Sequence, residues 1–190
     1  MSRLKKLNKI CDHFHLSLQS GCDATLKRMN RKYTTKEFQR VVERLRNAFP
    51  DVMLTTDIIV GFPGETEEEF EVTYNYLKTI KFYKMHIFKY SQRKGTVADK
   101  MPNQTNGEVK EKRSRRLLNL SDKNEIEYLK KYIGKNVKVL FEQKDGEYYK
   151  GHTTNYIMVK TKEKELQNKF GDVKVTKEEN MELIGELEKR

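Results

Sequence analysis

The sequence has little that would place it in a membrane or outside the cell. No segment approaches the roughly 20 consecutive apolar residues of a membrane span, and residues 1–7 lack the apolar run of a signal peptide. It has only two cysteines, Cys11 and Cys22, which is too few for a disulfide framework. We therefore expect a protein of the reducing cytoplasm with no membrane partner.

Positive charge is in excess, and it is unevenly distributed. The chain has 39 Lys and Arg residues against 28 Asp and Glu, which gives a net charge of +11. Residues 51–80 are acidic, and the surplus of cations lies on either side of them. A basic balance of this size favours a polyanionic partner, usually RNA or DNA. A lysine-rich proteome is the alternative, although it would spread the charge more evenly.

One segment has the pattern of a strand that runs through a glycine turn into a helix. Residues 54–60 are mostly apolar and β-branched, as in a strand covered on both faces. Gly61 and Gly64 follow it, and Thr66 stands before three glutamates as a helix N-cap. Because ligands bind at the carboxyl ends of parallel strands, this turn is a candidate site. An ordinary βα connection explains the glycines equally well.

Asp57 argues against that ordinary explanation. It lies inside the apolar strand, where a carboxylate is costly unless it is paired or faces a polar cavity. Asp57 is therefore expected to face a site. The alternative is that it pairs with a nearby Arg or Lys for structure alone.

Two further strand patterns end in polar residues and a glycine. They cover residues 13–18 and 85–90, and helical patterns lie between the strands. Strand–helix alternation predicts a parallel sheet, and three strands are too few to close a barrel. A long basic helix is predicted over residues 108–132. The predicted fold class is therefore α/β, with a partial parallel (β/α) barrel of three strands over residues 1–133.

The pattern changes at Gly134. Residues 137–141 alternate as in a strand, and Asp145-Gly146 is a hairpin signal. Five short strands in about 57 residues predict a small antiparallel β-barrel of the OB kind. This second domain is predicted to span residues 134–190.

Four motifs, taken together and in this order, resemble those of radical-SAM methylthiotransferases. They are His15-Leu-Ser-Leu-Gln-Ser-Gly21, Met29-Asn-Arg-Lys-Tyr33, Asp57-Ile-Ile-Val-Gly-Phe-Pro-Gly-Glu-Thr66 and Tyr90-Ser-Gln-Arg-Lys-Gly-Thr96. The segment from Gly134 on resembles the TRAM domain of that family. Within it, Gly151-His-Thr-Thr-Asn-Tyr-Ile-Met-Val159 is most similar to the branch that methylthiolates threonylcarbamoyladenosine in tRNA.

The resemblance implies S-adenosylmethionine and 4Fe-4S clusters in the whole enzyme. The family holds its radical-SAM cluster with a Cys-x-x-x-Cys-x-x-Cys motif, which this chain lacks; Cys11 and Cys22 cannot replace three clustered thiolates. The histidines offer no metal set either, because no third ligand is suitably spaced from His13 and His15. We therefore interpret the chain as the C-terminal half of such an enzyme, with no metal and no catalytic residue of its own, and expect it to be inactive alone.

The resemblance also implies half of an S-adenosylmethionine site at the strand ends. Polar groups of the first strand end would bond ribose or methionine, the second would line the methionine or adenosine side, and the third would contact adenine. The predicted cofactor-binding residues are Gln19, Ser20, Asp57, Gly61, Gly64, Phe88, Tyr90 and Ser91. Ordinary polarity at strand ends is the alternative for each.

RNA, as the tRNA anticodon stem-loop, is predicted to bind the basic helix together with the small barrel. Basic residues follow phosphates, and aromatic residues stack bases. The predicted RNA-binding residues are Arg93, Lys112, Arg113, Arg115, Arg116, Lys138, Lys150 and Tyr156. The alternative is a structural helix whose arginines are solvated or paired with Glu108 and Glu111, beside a barrel with tyrosines in its core.

Two other functions remain open from the sequence. One is a free-standing RNA-binding module with a remnant barrel, and the other is a parent enzyme that methylthiolates a ribosomal protein. An open sheet of three strands also leaves edge hydrogen bonds and apolar surface unmatched. We therefore expect a possible dimer through the open half-barrel.

Overall fold

A computed structural model describes residues 6–7, 9–163 and 165–188. In this described part, no helix is long and apolar enough to cross a membrane. The chain divides into two compact units. The first comprises Phe14–Pro50 and Leu54–Asn124, and the second comprises Asp51–Met53, the chain from Glu125 on and the described residues before Phe14. The second unit thus takes in more of the chain than residues 134–190.

The first unit contains a three-stranded parallel sheet with strand order β1-β2-β3. This confirms the predicted partial barrel of three strands. The elements in chain order are β1 (His13–His15), α1 (Asp23–Arg28), α2 (Thr35–Ala48), β2 (Met53–Val60), α3 (Glu67–Ile80), β3 (Lys84–Lys89), a 3-10 turn (Ala98–Lys100) and α4 (Gly107–Lys130).

The first strand is shorter than predicted. It ends at His15 rather than near Leu18, because the Leu18 amide donates to the Thr56 side chain and not to a main-chain carbonyl. Gln19 then takes a positive φ of 73°. Its main chain still makes two hydrogen bonds with β2. The Gln19 amide donates to the Asp57 carbonyl, and the Ile59 amide donates to the Gln19 carbonyl.

Local sequence fixes the start of α3. The Thr66 side chain accepts from the Glu69 amide, and the Glu69 side chain accepts from the Thr66 amide, so that a capping box is complete. The predicted N-cap is therefore confirmed. A cap of this kind stabilises by about 0.5–2 kcal/mol. The same reciprocal pair, Thr34 and Glu37, starts α2.

The parallel sheet has two different faces. Leu54, Ile58 and Val60 of β2 are buried at 1% exposure or less, as are Phe70 and Leu77 of α3, which belong to the same core. Successive side chains of a strand point to opposite faces. Asp57 therefore lies on the other, polar face of the sheet.

The second unit is built on a closed five-stranded barrel with strand order β4-β5-β6-β8-β7. Four of the five strand pairs are antiparallel, but β6 and β8 are parallel. The predicted small barrel is thus confirmed. Its one parallel pair arises because the chain crosses from β6 to β7, and β8 returns beside β6 to close the barrel. The strands are β4 (Asn136–Asp145), β5 (Tyr148–Thr153), β6 (Met158–Thr161), β7 (Lys169–Glu179) and β8 (Glu182–Leu187).

We expect Gly151→Ala to destabilise the barrel by about 1–3 kcal/mol, as overpacking of a core does. A Cβ at position 151 would overlap the Leu140 carbonyl oxygen and would lie 2.6 Å from Cα of Phe141, and neither backbone atom yields easily. Gly107→Ala is the control, since its added methyl group meets nothing within 4 Å. Urea unfolding measures both. Equal midpoints for the two variants would contradict the expectation.

Candidate functional site

The polar face of the sheet carries a cluster of hydrogen bonds around Asp57. Its Oδ2 accepts from Ser17 Oγ at 2.9 Å and lies 3.1 Å from His15 Nε2. His15 Nδ1 lies 3.0 Å from Thr55 Oγ1. His86 is directly opposite Asp57 in the sheet, and its ring centroid is 5.8 Å from that of His15. Three elements of the sheet thus bring one carboxylate, two imidazoles and two hydroxyls together.

The partners of Asp57 bear on its two predicted roles. Among the described residues, Asp57 pairs with a histidine and a serine, and not with an Arg or Lys. An ionised carboxylate only accepts hydrogen bonds, so His15 Nε2 donates, and Nδ1 of the neutral ring accepts from Thr55. The Asp57 side chain remains 27% exposed. It is thus part of a polar surface with donors and acceptors available to a ligand.

Ser20, another predicted cofactor ligand, is turned into the protein. It is fully buried, its Oγ lies 3.1 Å from Thr73 Oγ1, and it accepts from the Cys22 amide at 3.2 Å. Its hydroxyl therefore joins the end of the first strand to α3. Gln19 is also buried, at 7% exposure, and its main chain is used by β2.

The glycine turn uses its own amides. Gly61 and Gly64 have φ values of 70° and 78°, which explains the choice of glycine at both positions. The Gly61 amide donates to Glu65 Oε1 at 2.9 Å, and the Gly64 amide donates to the Asn103 carbonyl at 2.9 Å. The side chain of Lys110 lies against Gly61, where a Cβ would overlap it. The amides predicted to line a cofactor are thus occupied by partners within the protein.

A buried ion pair holds this turn in place. Arg113 Nη1 donates to Glu65 Oε1 at 2.7 Å, and Nη2 donates to Glu67 Oε2 at 3.0 Å. The side chains of Arg113 and Glu65 are only 4% and 2% exposed. Burial raises the pKa of the Glu65 carboxyl, against the Gly61 amide and Arg113, which lower it. Arg113 was predicted to bind RNA, but its burial and its two carboxylate partners correct that role to a structural one.

The end of β3 is more open. Phe88 is 52% exposed and Ser91 is exposed. The Tyr90 ring packs edge-on against Phe62 at 5.3 Å, and Lys110 Nζ lies 5.3 Å from its centroid. The Tyr90 hydroxyl is buried and has no hydrogen-bond partner among the described residues. Buried hydroxyls are rarely unpaired, which makes the Tyr90 hydroxyl an unsatisfied polar group at the end of β3.

The cations of α4 are largely neutralised by carboxylates. Arg116 donates to both oxygens of Glu71 at 2.5 and 3.1 Å and lies over the Phe70 and Tyr74 rings. Arg115 is 75% exposed and pairs with Glu111 one turn away. Arg116 Nη1 also approaches Glu67 at 3.6 Å. The sequence offered the alternative that these arginines pair with Glu108 and Glu111. That alternative holds for Arg115 and Glu111, whereas Arg116 pairs with Glu71 of α3, which the alternative did not include.

Two cations of the predicted set remain exposed and unpaired in the described part of this unit. Lys112 is one, and Arg93 is the other. The loop that carries Arg93 is held by Asp99, whose carboxylate accepts from Gln92 Nε2 at 2.9 Å and from the Gly95 amide at 3.2 Å. An ordered loop thus presents an unpaired guanidinium, which suits phosphate binding.

The predicted RNA-binding lysines of the small barrel also include one with an ion pair and one without. Lys150 pairs with Asp145 at 2.6 Å and with Glu182 at 3.1 Å, so its ammonium is used within the barrel. Lys138 Nζ lies 5.3 Å from the centroid of Phe170, which is 67% exposed. Sequence reasoning missed Phe170, although the alternation of the buried Val173 and Val175 points its side chain outward.

Tyr156 is the one tyrosine among the predicted RNA-binding residues. It is 58% exposed and has a φ of 69°. Its ring stacks on His152 at 4.3 Å and on His13 at 5.3 Å, with interplanar angles of 13° and 10°. The alternative that the barrel tyrosines lie in its core is therefore wrong for Tyr156.

No iron–sulfur cluster fits this set of residues. Cys11 is exposed and Cys22 is buried. Across residues 6–7, 9–163 and 165–188, no group of three or more His, Cys, Asp or Glu side chains is placed to hold a metal ion. Asp57 and Phe88 of the predicted cofactor residues do offer exposed groups, a carboxylate whose side chain is 27% exposed and a ring that is 52% exposed.

Known proteins resemble the chain over nearly all of its length. Residues 1–77 match the model of the Radical SAM superfamily. The chain is 39% identical over 188 residues to a tRNA-2-methylthio-N(6)-dimethylallyladenosine synthase of Thermoanaerobacter sp. (strain X514), which covers 97% of this chain and 40% of the relative. It is 41% identical over 180 residues to the threonylcarbamoyladenosine tRNA methylthiotransferase MtaB of Bacillus subtilis (strain 168), with 92% and 40% covered.

A third kind of relative is equally similar. The chain is 38% identical over 191 residues to the ribosomal protein uS12 methylthiotransferase RimO of Alkaliphilus oremlandii (strain OhILAs), which covers 95% of this chain and 43% of the relative. The chain thus spans about 40% of the length of the relatives it matches. Identity alone does not separate the three substrates.

We expect Arg113→Ala to lower the free energy of unfolding by about 3–5 kcal/mol, because it leaves the buried Glu65 carboxylate without its cation. Arg115→Ala is the matched control on the same helix. Its exposed pair with Glu111 contributes only about 0.3–0.5 kcal/mol. Urea unfolding compares the two. A loss as small in Arg113→Ala as in the control would show that the buried pair does not stabilise the turn.

Proposed function

Since the chain belongs to the radical-SAM methylthiotransferase family, we propose that it forms the part of a tRNA-modifying enzyme that faces the cofactor and binds the RNA. The observation that carries this proposal is the similarity of 92–97% of the chain to enzymes named for adding methylthio groups to tRNA. The whole enzyme would be a transferase of sulfur-containing groups, acting in the cytoplasm on the anticodon stem-loop.

The proposed substrate is threonylcarbamoyladenosine next to the anticodon, which the enzyme converts to its 2-methylthio derivative. Two observations support this choice. The segment Gly151–Val159 is most similar to that branch, and a relative with this activity in its name is 41% identical to the chain. A dimethylallyladenosine substrate and the ribosomal protein uS12 are the competing choices, because relatives named for them are 39% and 38% identical.

We place half of an S-adenosylmethionine site on the polar face of the sheet. When bound together with a 4Fe-4S cluster, this cofactor supplies radical chemistry in the superfamily. The Asp57 carboxylate is suited to an ammonium or to ribose hydroxyls, the exposed Phe88 ring to adenine, and the unpaired Tyr90 hydroxyl to a polar atom of the ligand. Gln19 and Ser91 remain predicted contacts. The cluster would be held by a part of the enzyme outside this chain.

Three of the predicted cofactor residues act instead as scaffold in this proposal. The Ser20 hydroxyl and the amides of Gly61 and Gly64 all have partners within the protein. Ser20 ties the first strand end to α3, and the two glycine amides tie the turn to Glu65 and Asn103. These bonds keep the groups that face the ligand in position. Rigid support of this kind is what a binding site needs.

The proposed RNA surface is also narrower than the sequence indicates. Arg93, Lys112 and Lys138 are exposed cations without an ion pair among the described residues. Arg115 is included because it stays 75% exposed despite its pair with Glu111, and Tyr156 adds an exposed ring. Arg113, Arg116 and Lys150 are left out because ion pairs hold them. Dimerisation through the open half-barrel stays a prediction.

Loss of the gene for the whole enzyme tests the proposed substrate. We expect mass spectrometry of tRNA nucleosides from the deletion strain to show loss of 2-methylthio-threonylcarbamoyladenosine, with threonylcarbamoyladenosine accumulating in its place. The 2-methylthio derivative of dimethylallyladenosine should be unchanged. Loss of that derivative instead, or of the methylthio group of ribosomal protein uS12, would assign the enzyme to another branch.

Salt dependence tests the proposed RNA surface. Each phosphate contact adds nearly one to the slope of log affinity against log salt. We therefore expect a variant with Arg93, Lys112 and Arg115 changed to Ala to lower that slope by about 2–3. Fluorescence anisotropy with a tRNA anticodon stem-loop at several salt concentrations measures it.

The control for this experiment is Arg116→Ala. It removes a cation from the same helix, but one that is neutralised by Glu71, so the slope should not change. An unchanged slope in the triple variant would show that α4 and the Arg93 loop are structural. A lower slope in Arg116→Ala would show that this ion pair opens to bind phosphate.

A further inference from the structure

A row of four side chains crosses the outer face of the small barrel. Phe170 of β7 lies opposite Leu140 of β4, Leu140 lies opposite His152 of β5, and His152 lies opposite Met158 of β6. Residues directly opposite each other in a sheet share one face and are close neighbours. The next positions, including Val139 and Val159, are fully buried in the core, so the row lies on the outside.

Aromatic rings stand at two places in this row, which we call the Phe170 row. Phe170 occupies one end and is 67% exposed. His152 lies two strands away, and the Tyr156 ring stacks on His152 at 4.3 Å and on His13 at 5.3 Å. The His152 ring is also fixed, because its Nδ1 lies 2.6 Å from Glu142 Oε2. Two exposed aromatic groups are thus separated by the half-buried Leu140.

Cations flank the Phe170 end. Lys138 lies on the same face as Leu140, and its Nζ is 5.3 Å from the Phe170 centroid, the arrangement of a cation–π contact. Lys174 lies opposite Asn136 on this face. Neither lysine has an ion pair within the described barrel, although Asp172 lies opposite Lys138 in the sheet. Single rings with unpaired cations beside them suit bases joined by phosphates better than a purely apolar partner.

We propose that the Phe170 row binds two unpaired RNA bases, with Lys138 beside the phosphate between them. One base stacks on Phe170, and the other stacks on the exposed part of the Tyr156 ring, which is 58% exposed between His13 and His152. Stacking on exposed rings is how sheets and small barrels bind single strands. The inference rests on the proposed function only in taking RNA as the partner. It adds the residues, the mode of binding and the form of the RNA.

The spacing of the rings selects unpaired bases. Neighbouring strands are about 4.8 Å apart, so the two aromatic groups are separated by roughly 10 Å. Stacked nucleotides in a duplex rise by about 3.4 Å, and their faces are covered by neighbouring bases. Only a strand with splayed bases can place one base on each group. A loop meets this condition and a stem does not.

The absence of tryptophan from the sequence gives a direct test. Phe170→Trp introduces a single tryptophan, and we expect its fluorescence to be quenched by an unstructured seven-nucleotide RNA but not by a blunt duplex of the same length. Tyr148→Trp is the matched control in the same barrel. Lys160 and Lys162 each lie 5.3 Å from the Tyr148 centroid, but they pair with Glu182 and Glu147. This ring therefore has no unpaired cation beside it among the described residues, and no base is expected to stack there.

Affinity gives the second measurement. Phe170→Ala in the 190-residue chain should weaken binding of the single strand by about five- to a hundredfold, the usual effect of removing one stacking ring. Phe170→Leu should weaken it nearly as much, since leucine is apolar but does not stack. The side chain is exposed, so neither change disturbs the core.

Three results would overturn the inference. They are equal quenching of Phe170→Trp and the Tyr148→Trp control, quenching by the duplex as strong as by the single strand, and wild-type affinity in Phe170→Leu. The last would indicate an apolar contact, as with a protein partner. If the wild-type chain binds the stem-loop with a steep salt slope while Phe170→Ala binds equally well, only this inference fails. If the wild-type chain binds no RNA, the proposed function fails with it.

Discussion

The buried pair of Glu65 and Arg113 is the interaction on which the first unit depends. Two charges that are almost fully removed from water are tolerated only when each has its hydrogen bonds made. Glu65 meets this condition by accepting from the Gly61 amide as well as from Arg113. The turn after β2, the start of α3 and the first half of α4 are therefore fixed relative to one another.

This constraint changes the meaning of the charge pattern. In the sequence, the cations that lie on either side of the acidic residues 51–80 suggest surfaces that attract a polyanion. In the fold, Glu65, Glu67 and Glu71 of the acidic stretch neutralise Arg113 and Arg116 of α4. Much of the apparent polyanion-binding charge is thus internal. These ion pairs leave the net charge of +11 unchanged, but they show which cations are compensated locally. The exposed cations whose local partners are absent or weak are those that RNA meets first.

Local rules predicted the elements well, and distant pairings limited the prediction of the site. The α3 helix begins and ends where its capping residue and apolar stripe indicate, because both signals lie within a few residues. Asp57 finds His15 from 42 positions away, and Arg113 finds Glu65 from 48 positions away. Helical spacing shows which residues share a face, but it does not show which element covers that face.

In the barrel, too, local patterns predict some features, and distant pairings determine the others. Alternation along β4 and β7 separates buried from outward residues, and the exposure of Phe170 follows from it. The parallel pairing of β6 with β8 does not, because it depends on how the sheet closes rather than on any local pattern. The Phe170 row crosses four neighbouring strands of the barrel in the order β7, β4, β5 and β6. This spatial order differs from the order of the strands in the sequence. Such a surface becomes visible only after the register of every strand is known.

The two proposed kinds of contact with RNA, ionic contacts of exposed cations and stacking on aromatic rings, depend on different physical interactions. Exposed cations act through a field that salt screens within about 10 Å at 0.1 M, whereas stacking on a ring depends on apolar and π contact and is little affected by salt. Because the exposed arginines sit on an ordered loop and a helix while the rings sit on a barrel wall, each group can be changed without the other. The slope of affinity against salt reports the cations, and the affinity that persists at high salt reports the rings.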